Sequence, residues 1–240
     1  EALEAKIDDI KREAENKELF VAAFSHELKT PLTVIIGFSQ RLLKKLKGDE
    51  DLALSAQYIY DEGRRLENLS MQLLDLMVLE KQTPELEPVS AREFFGCIAG
   101  LVAPSLRERG IELSVDISDG TLFIEPSLME TVCINFIDNA KKALNNGGRI
   151  VLSGKPVATG YEFSVADNGV GMAKEELEKV TRAFYMVDKS RSRKEGGAGL
   201  GLAICDKILK LHRTGADIKS TPGEGTCVTV RLEGDAEYEL

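Results

Sequence analysis

The sequence predicts a two-part protein: an all-α helical hairpin followed by an α+β domain with one layer of helices on a mixed sheet. Three observations carry this. Apolar residues recur in steps of three and four up to about residue 82, two prolines then interrupt the pattern, and short alternating apolar runs take over beyond them. Hydrophobic residues make up 43% of the chain and charged residues 30%, which suits packed cores and excludes wholesale disorder.

Leu3, Ile7, Ile10, Ala14, Lys17, Val21, Phe24 and Leu28 have the spacing of a coiled-coil seam, so 1–20 reads as a coiled-coil lead-in. The pattern runs past Pro31 through Leu32, Ile35 and Ile36 to about Leu46, where Lys47-Gly48-Asp49 breaks it. A second amphipathic helix is predicted over 52–80, with Ile59, Leu66, Leu69, Leu73 and Leu76 as its stripe. One such hairpin cannot enclose its stripe, whereas two paired into a four-helix bundle bury it. Residues 1–82 therefore read as the dimerisation domain of a homodimer.

Thr83-Pro84-Glu85-Leu86-Glu87-Pro88 ends the helix and favours extended backbone, so 83–88 is a hinge linker and 89–240 the second domain. Within it the pattern predicts helices over 91–107, 126–145 and 200–212. Strands are predicted over 111–117, 149–155, 161–167, 216–219 and 226–232, with a polar, basic, glycine-rich stretch over 186–198.

The formal charge of −9 argues against a nucleic-acid partner, which needs clustered Lys and Arg. Cys97, Cys133, Cys205 and Cys227 are scattered without a C-x-x-C pair, so they read as free thiols in a reducing cytosol rather than zinc ligands. No apolar run reaches the roughly 18 residues of a membrane span, and no signal peptide opens the chain. The chain begins without Met inside a helical pattern. The expectation is a soluble cytoplasmic piece of a longer protein.

Asp167-Asn168-Gly169-Val170-Gly171 ends a predicted strand, where a carboxylate can accept from an exocyclic amine and the glycines let the chain turn close to a ligand. Gly197-Ala198-Gly199-Leu200-Gly201-Leu202 opens a helix, exposing backbone N–H groups suited to phosphate. Lys189, Arg191, Arg193 and Lys194 lie between the two and can screen anionic charge. Asn135 and Asn139 share a helix face with Asp138 and Lys142 alongside. Two asparagines within a turn of helix cost stability, and an amide oxygen suits Mg²⁺ carried in with phosphates. No P-loop signature occurs.

In this order the three elements resemble the ATP-binding domain shared by histidine kinases, DNA gyrase and MutL. The resemblance implies an α/β sandwich with ATP between the Asn139 helix and a lid. By motif, Asp167, Gly169, Gly171 and Thr226 would lie at the adenine end. Asn139 would ligate Mg²⁺, with Asn135 and Lys142 near the phosphates. Gly197, Gly199, Leu200 and Gly201 would contact phosphate through backbone, and Phe184-Tyr185 resembles the aromatic motif before the lid.

Phe24-Ser25-His26-Glu27-Leu28-Lys29-Thr30-Pro31-Leu32 places a histidine, largely neutral at pH 7 and hence nucleophilic, beside a carboxylate able to hold its tautomer. This run resembles the phosphoacceptor box of the commonest histidine-kinase class, and gyrase and MutL lack it. The resemblance implies autophosphorylation of His26 with Glu27 as its partner. It also implies transfer to an aspartate of a response-regulator receiver domain, and a water positioned by Thr30 for removing phosphate from that regulator. The upstream helix would continue from a sensor segment that anchors the full-length protein to the membrane. The alternative is a degenerate nucleotide-binding scaffold or another ATPase of the same superfamily, against which intact His26, Asn139 and Asp167 argue. The sequence departs from the family pattern at Glu125 (usually Asp), Ala143 (often aromatic), Met186 (often basic) and Arg213-Thr214 (often Gly-Gly).

Overall fold

The computed structural model describes residues 29, 32–44, 50–79, 83–144, 147–182, 185–187 and 199–234. His26, Glu27, Thr30, Phe184, Gly197 and the basic cluster at 189–194 lie outside the described residues.

Helix α1 covers residues 32–44 and α2 covers Glu50–Val78. Leu32, Ile36 and Ser39 are buried at helical spacing on α1. Gly63 of α2 lies so close to Ile36 that a Cβ there would stand 2.9 Å from its side chain, so the two helices pack as a hairpin. A second apolar face remains uncovered in the single chain, including Phe38 at 60% and Tyr58 at 68% exposure, with Ile35, Ile59 and Leu66 beside them. Toward its C-terminal end α2 changes neighbours. Leu69, Leu76 and Leu79 pack on the core of the second domain, so the predicted stripe divides between two surfaces.

The second domain adds β1 (Glu87–Ser90), α3 (Ala91–Glu108), β2 (Ile111–Ile117), β3 (Thr121–Ile124), α4 (Pro126–Ala143), β4 (Gly148–Val157), β5 (Gly160–Asp167), α5 (Lys174–Leu177), α6 (Gly201–Leu211), β6 (Ala216–Thr221) and β7 (Gly225–Glu233). Five strands form one sheet in the order β2-β4-β5-β7-β6, parallel only between β2 and β4. The strands β1 and β3 make a separate antiparallel pair. Alternate residues of the central strands turn inward, including Ile150, Leu152, Phe163, Val165, Val228 and Val230. They meet Phe95 and Ile98 of α3, Val132 and Phe136 of α4, and Ile204 and Ile208 of α6, giving the helix-on-sheet sandwich.

Two departures from the family pattern acquire structural meaning. Glu125 caps α4, its carboxylate accepting the Leu128 N–H at 2.6 Å. Arg213 stands just past α6 with φ +54°, the only non-glycine residue with positive φ among those described, where the Thr214 N–H closes the helix on the Leu209 carbonyl. His212 beside it is fully buried, donating from Nδ1 to the Ile208 carbonyl at 2.8 Å and accepting the Glu125 N–H on Nε2 at 3.0 Å. Burial lowers its pKa, consistent with a neutral structural imidazole.

Candidate functional site

A cavity of about 450 Å³ opens between α4, the ends of β5, β6 and β7, the start of α6 and helix α2. Its floor is apolar: Val165, Val228 and Ile218 come from three neighbouring strands, with Met172 beside them. The sequence motifs do not single out these residues. For the three strand residues the only signal is the inward alternation of the strands that carry them.

Asp167 is the last residue of β5, in register with Thr226 of β7. Its Oδ1 accepts the Gly169 N–H at 2.8 Å, which fixes the carboxylate at the cavity wall. Burial raises its pKa, and the backbone N–H groups of Gly169 and Thr226 offset part of that rise. Asn168 ties the same turn to β4, its Oδ1 accepting the Arg149 N–H at 2.7 Å. Gly171 also lines the cavity.

Behind Thr226 stands Ser220, a residue absent from the sequence-based set. Its Oγ donates to the Gly225 carbonyl at 2.9 Å, accepts the Met172 N–H at 2.8 Å and lies 2.9 Å from Thr226 Oγ1.

Helix α4 forms the opposite wall through Asn135, Asn139 and Lys142. Neighbouring Lys141 is tied to Asp138 at 2.8 Å, so Lys142 is the lysine of α4 that faces the cavity. Asn135 donates to the Thr131 carbonyl at 2.9 Å and turns Oδ1 toward the start of α6. A Cβ at Gly201 would lie 2.5 Å from that oxygen, so glycine is what lets α6 begin against Asn135. Asn139 Nδ2 is buried without a hydrogen-bond partner. Such a group is costly unless a ligand satisfies it.

At the mouth of α6, Gly199, Gly201 and Leu202 line the cavity, and the residue at the N-cap position, Leu200, makes no side-chain capping bond. The first amides of α6 and its positive dipole end are therefore available to an anion. Leu200, expected to contact phosphate, has its side chain fully buried in the core, which leaves only its backbone for that role. Tyr185 lines the cavity and donates its hydroxyl hydrogen bond to Glu176, with Lys179 5.9 Å above its ring. Met186 and Val187 complete that side. Helix α2 contributes Gln72, whose Oε1 is buried without a partner.

Among the described residues no cluster of three His, Cys, Asp or Glu side chains could hold a metal ion. A divalent cation fits here only with phosphates as its main ligands and an amide such as Asn139 as the protein's share, the pattern expected of Mg²⁺. Among the same residues no helix is long and apolar enough to cross a membrane.

Comparison with known proteins places this geometry. The family described as histidine kinase-, DNA gyrase B- and HSP90-like ATPase matches residues 124–236, and the His Kinase A (phospho-acceptor) domain matches residues 16–82. The uncharacterized sensor-like histidine kinase R01002 of Rhizobium meliloti is 30% identical over 227 residues, covering 92% of this chain and 43% of the relative. The phosphate regulon sensor protein PhoR of Pseudomonas aeruginosa is 33% identical, covering 88% of this chain and 48% of its own length. The chain thus spans under half the length of these two relatives.

Full-length ShkA, crystallised in complex with AMPPNP, superposes with a TM-score of 0.71 at 27% identity, over 88% of this chain and 45% of that one. The Acinetobacter baumannii histidine kinase AdeS shares the fold at 20% identity and a TM-score of 0.61, over 88% of this chain and 98% of its own. Carrying the phosphoacceptor helices and the ATP-binding sandwich in that order, the chain belongs to the sensor histidine kinases of two-component systems.

Proposed function

We propose that the chain, as a homodimer, binds ATP with Mg²⁺ in this cavity and transfers the γ-phosphoryl group to its own His26. A response-regulator receiver aspartate then takes the group, and the chain also dephosphorylates that regulator. The observation that carries the reading is the polarity of the cavity. One apolar slot is lined by Asp167 and Thr226 on the sheet side and by Lys142, the start of α6 and the unpartnered Asn139 amide on the helix side. That combination of groups complements an adenine base and its polyphosphate.

Phosphoryl transfer is mainly positioning and charge stabilisation. His26 Nε2 bonds to the γ-phosphorus as the bond to the β–γ bridging oxygen breaks, and ADP leaves. Glu27 accepts a hydrogen bond from Nδ1–H and takes that proton as positive charge develops on the ring. Asn139 is the protein's ligand for Mg²⁺, which supplies charge neutralisation on the phosphates. Lys142 and the amides at Gly199 and Gly201 orient the phosphate chain, joined by Asn135, Gly197 and Leu200, with Phe184 and Tyr185 framing the lid side. Gly169 and Gly171 shape the turn that holds Asp167. Thr30 positions the water for regulator dephosphorylation.

The uncovered apolar face around Phe38 and Tyr58 supports a second copy as the dimer partner. We place the chain in the cytoplasm, with the full-length protein anchored to the membrane through another segment.

Incubation with γ-labelled ATP and Mg²⁺ tests the reading. The chain should acquire acid-labile, base-stable label, and His26→Gln should acquire none while binding ADP like the parent. Label persisting in the variant would move the acceptor elsewhere.

A further inference from the structure

We propose that Ser220, which does not itself line the cavity, is a positioning residue that directs the Thr226 hydroxyl proton away from the ligand and so selects adenine over guanine. The inference rests on the nucleotide reading above and deepens it.

A serine hydroxyl has one proton and two lone pairs. Ser220 spends its proton on the Gly225 carbonyl at 2.9 Å, and it accepts the Met172 N–H at 2.8 Å. The remaining contact, 2.9 Å to Thr226 Oγ1, must then be donated by Thr226. Thr226 has only that proton, so its oxygen offers the cavity lone pairs alone. Asp167, in register beside it, also accepts only when ionised. Two side chains therefore present acceptors at one end of the slot.

The exocyclic amine of adenine brings donors to that place. The oxo group of guanine, at the same position of the ring, brings an acceptor and would meet lone pairs in a desolvated slot. Asp167 supplies one part of this discrimination, and Ser220 recruits Thr226 to supply another. A site that leaves a ligand's polar group unpaired rejects it more strongly than one that merely fits it poorly.

The test is calorimetric titration of the whole chain with ADP and GDP. The parent should prefer ADP, by about 10²-fold or more if both acceptors contribute. Ser220→Ala frees the Thr226 proton, and the ADP:GDP preference should fall about 5- to 10-fold, the effect of roughly one hydrogen bond. Ser220→Thr keeps the hydroxyl on β6 and should retain the parent preference. A purely structural role would weaken both nucleotides by one common factor, and an unchanged ratio in Ser220→Ala overturns the proposal. If Ser220→Ala does not fold, Thr226→Val takes its place, and an unchanged ratio there is equally decisive. A parent chain that binds neither nucleotide would instead overturn the nucleotide reading beneath it.

Discussion

Replacing Asp167 by Asn should move affinity and stability in opposite directions, and the structure fixes both signs. The backbone N–H of Gly169 holds one carboxylate oxygen and that of Thr226 adds a second bond to the group, so the amide oxygen of Asn will be drawn to them. The NH₂ is then left facing the cavity, a donor where the ligand amine needs an acceptor. Loss of a charge-assisted hydrogen bond together with an unpaired group amounts to about 2–3 kcal/mol, or roughly 30- to 150-fold in ADP affinity. Stability without nucleotide should rise instead. Burial raises the Asp167 pKa, so charging this carboxylate costs the native chain more than the unfolded one. The native state binds the proton more tightly than the unfolded chain. The favourable contribution is therefore complete below the ordinary carboxylate pKa of about 4 and is lost as pH rises through the native value. Thermal melts of the nucleotide-free proteins should show the variant above the parent at pH 7.5, with the gap closing toward pH 4. An ADP affinity within twofold of the parent, or a lower melting temperature at pH 7.5, would refute the reasoning.

Gly225→Ala should destabilise the chain by about 3 kcal/mol or more in urea titration, because φ is +111° and the new Cβ would lie 1.9 Å from the Asp167 carbonyl oxygen, which is backbone and cannot swing aside. Arg213→Gly should stabilise by about 1 kcal/mol in the same assay, since Arg213 occupies the left-handed position that closes α6. Asn139→Ala removes a buried amide nitrogen without a partner, so the nucleotide-free melting temperature should hold or rise. Its ADP affinity should fall about tenfold or more with Mg²⁺ and change little with chelator, and equal losses in both conditions would separate Asn139 from the metal.

What could be read from sequence follows from how local each signal is. Asp167 and its glycines, the paired asparagines of α4 and the glycine-rich start of α6 announce themselves because turns and helix ends restrict residue type over a few positions. The short strands β1 and β3 escaped, being four residues each, with Pro88 inside β1 reading as a breaker. The five-strand sheet extends further than expected, with β6 continuing to Thr221 and so bringing in Ser220. The role of Ser220 depends on contacts to Met172, Gly225 and Thr226, one of which spans 48 positions, and no pattern along the chain marks such a hub. The spacing from Asn139 already set Lys142 on the asparagine face, and the pairing of Lys141 with Asp138 shows where the neighbouring lysine goes instead. Leu69 and Leu76 were legible as apolar, but their periodicity could not say that they face the second domain instead of α1.

Gln72 gives the cavity a wall that belongs to another segment of the chain. Leu69, Gln72 and Leu76 fall on one face of α2, so the surface that seats this helix on the sandwich is continuous with the lining of the cavity. A displacement of α2 would do two things at once: bare the leucines to solvent and open the slot where Gln72 lines it. The fit of any occupant is thereby tied to the posture of a helix that also packs against α1. By reciprocity, whatever tightens the occupant's hold must strengthen the seating of α2 to the same extent. The cavity is in this sense a latch as well as a receptacle.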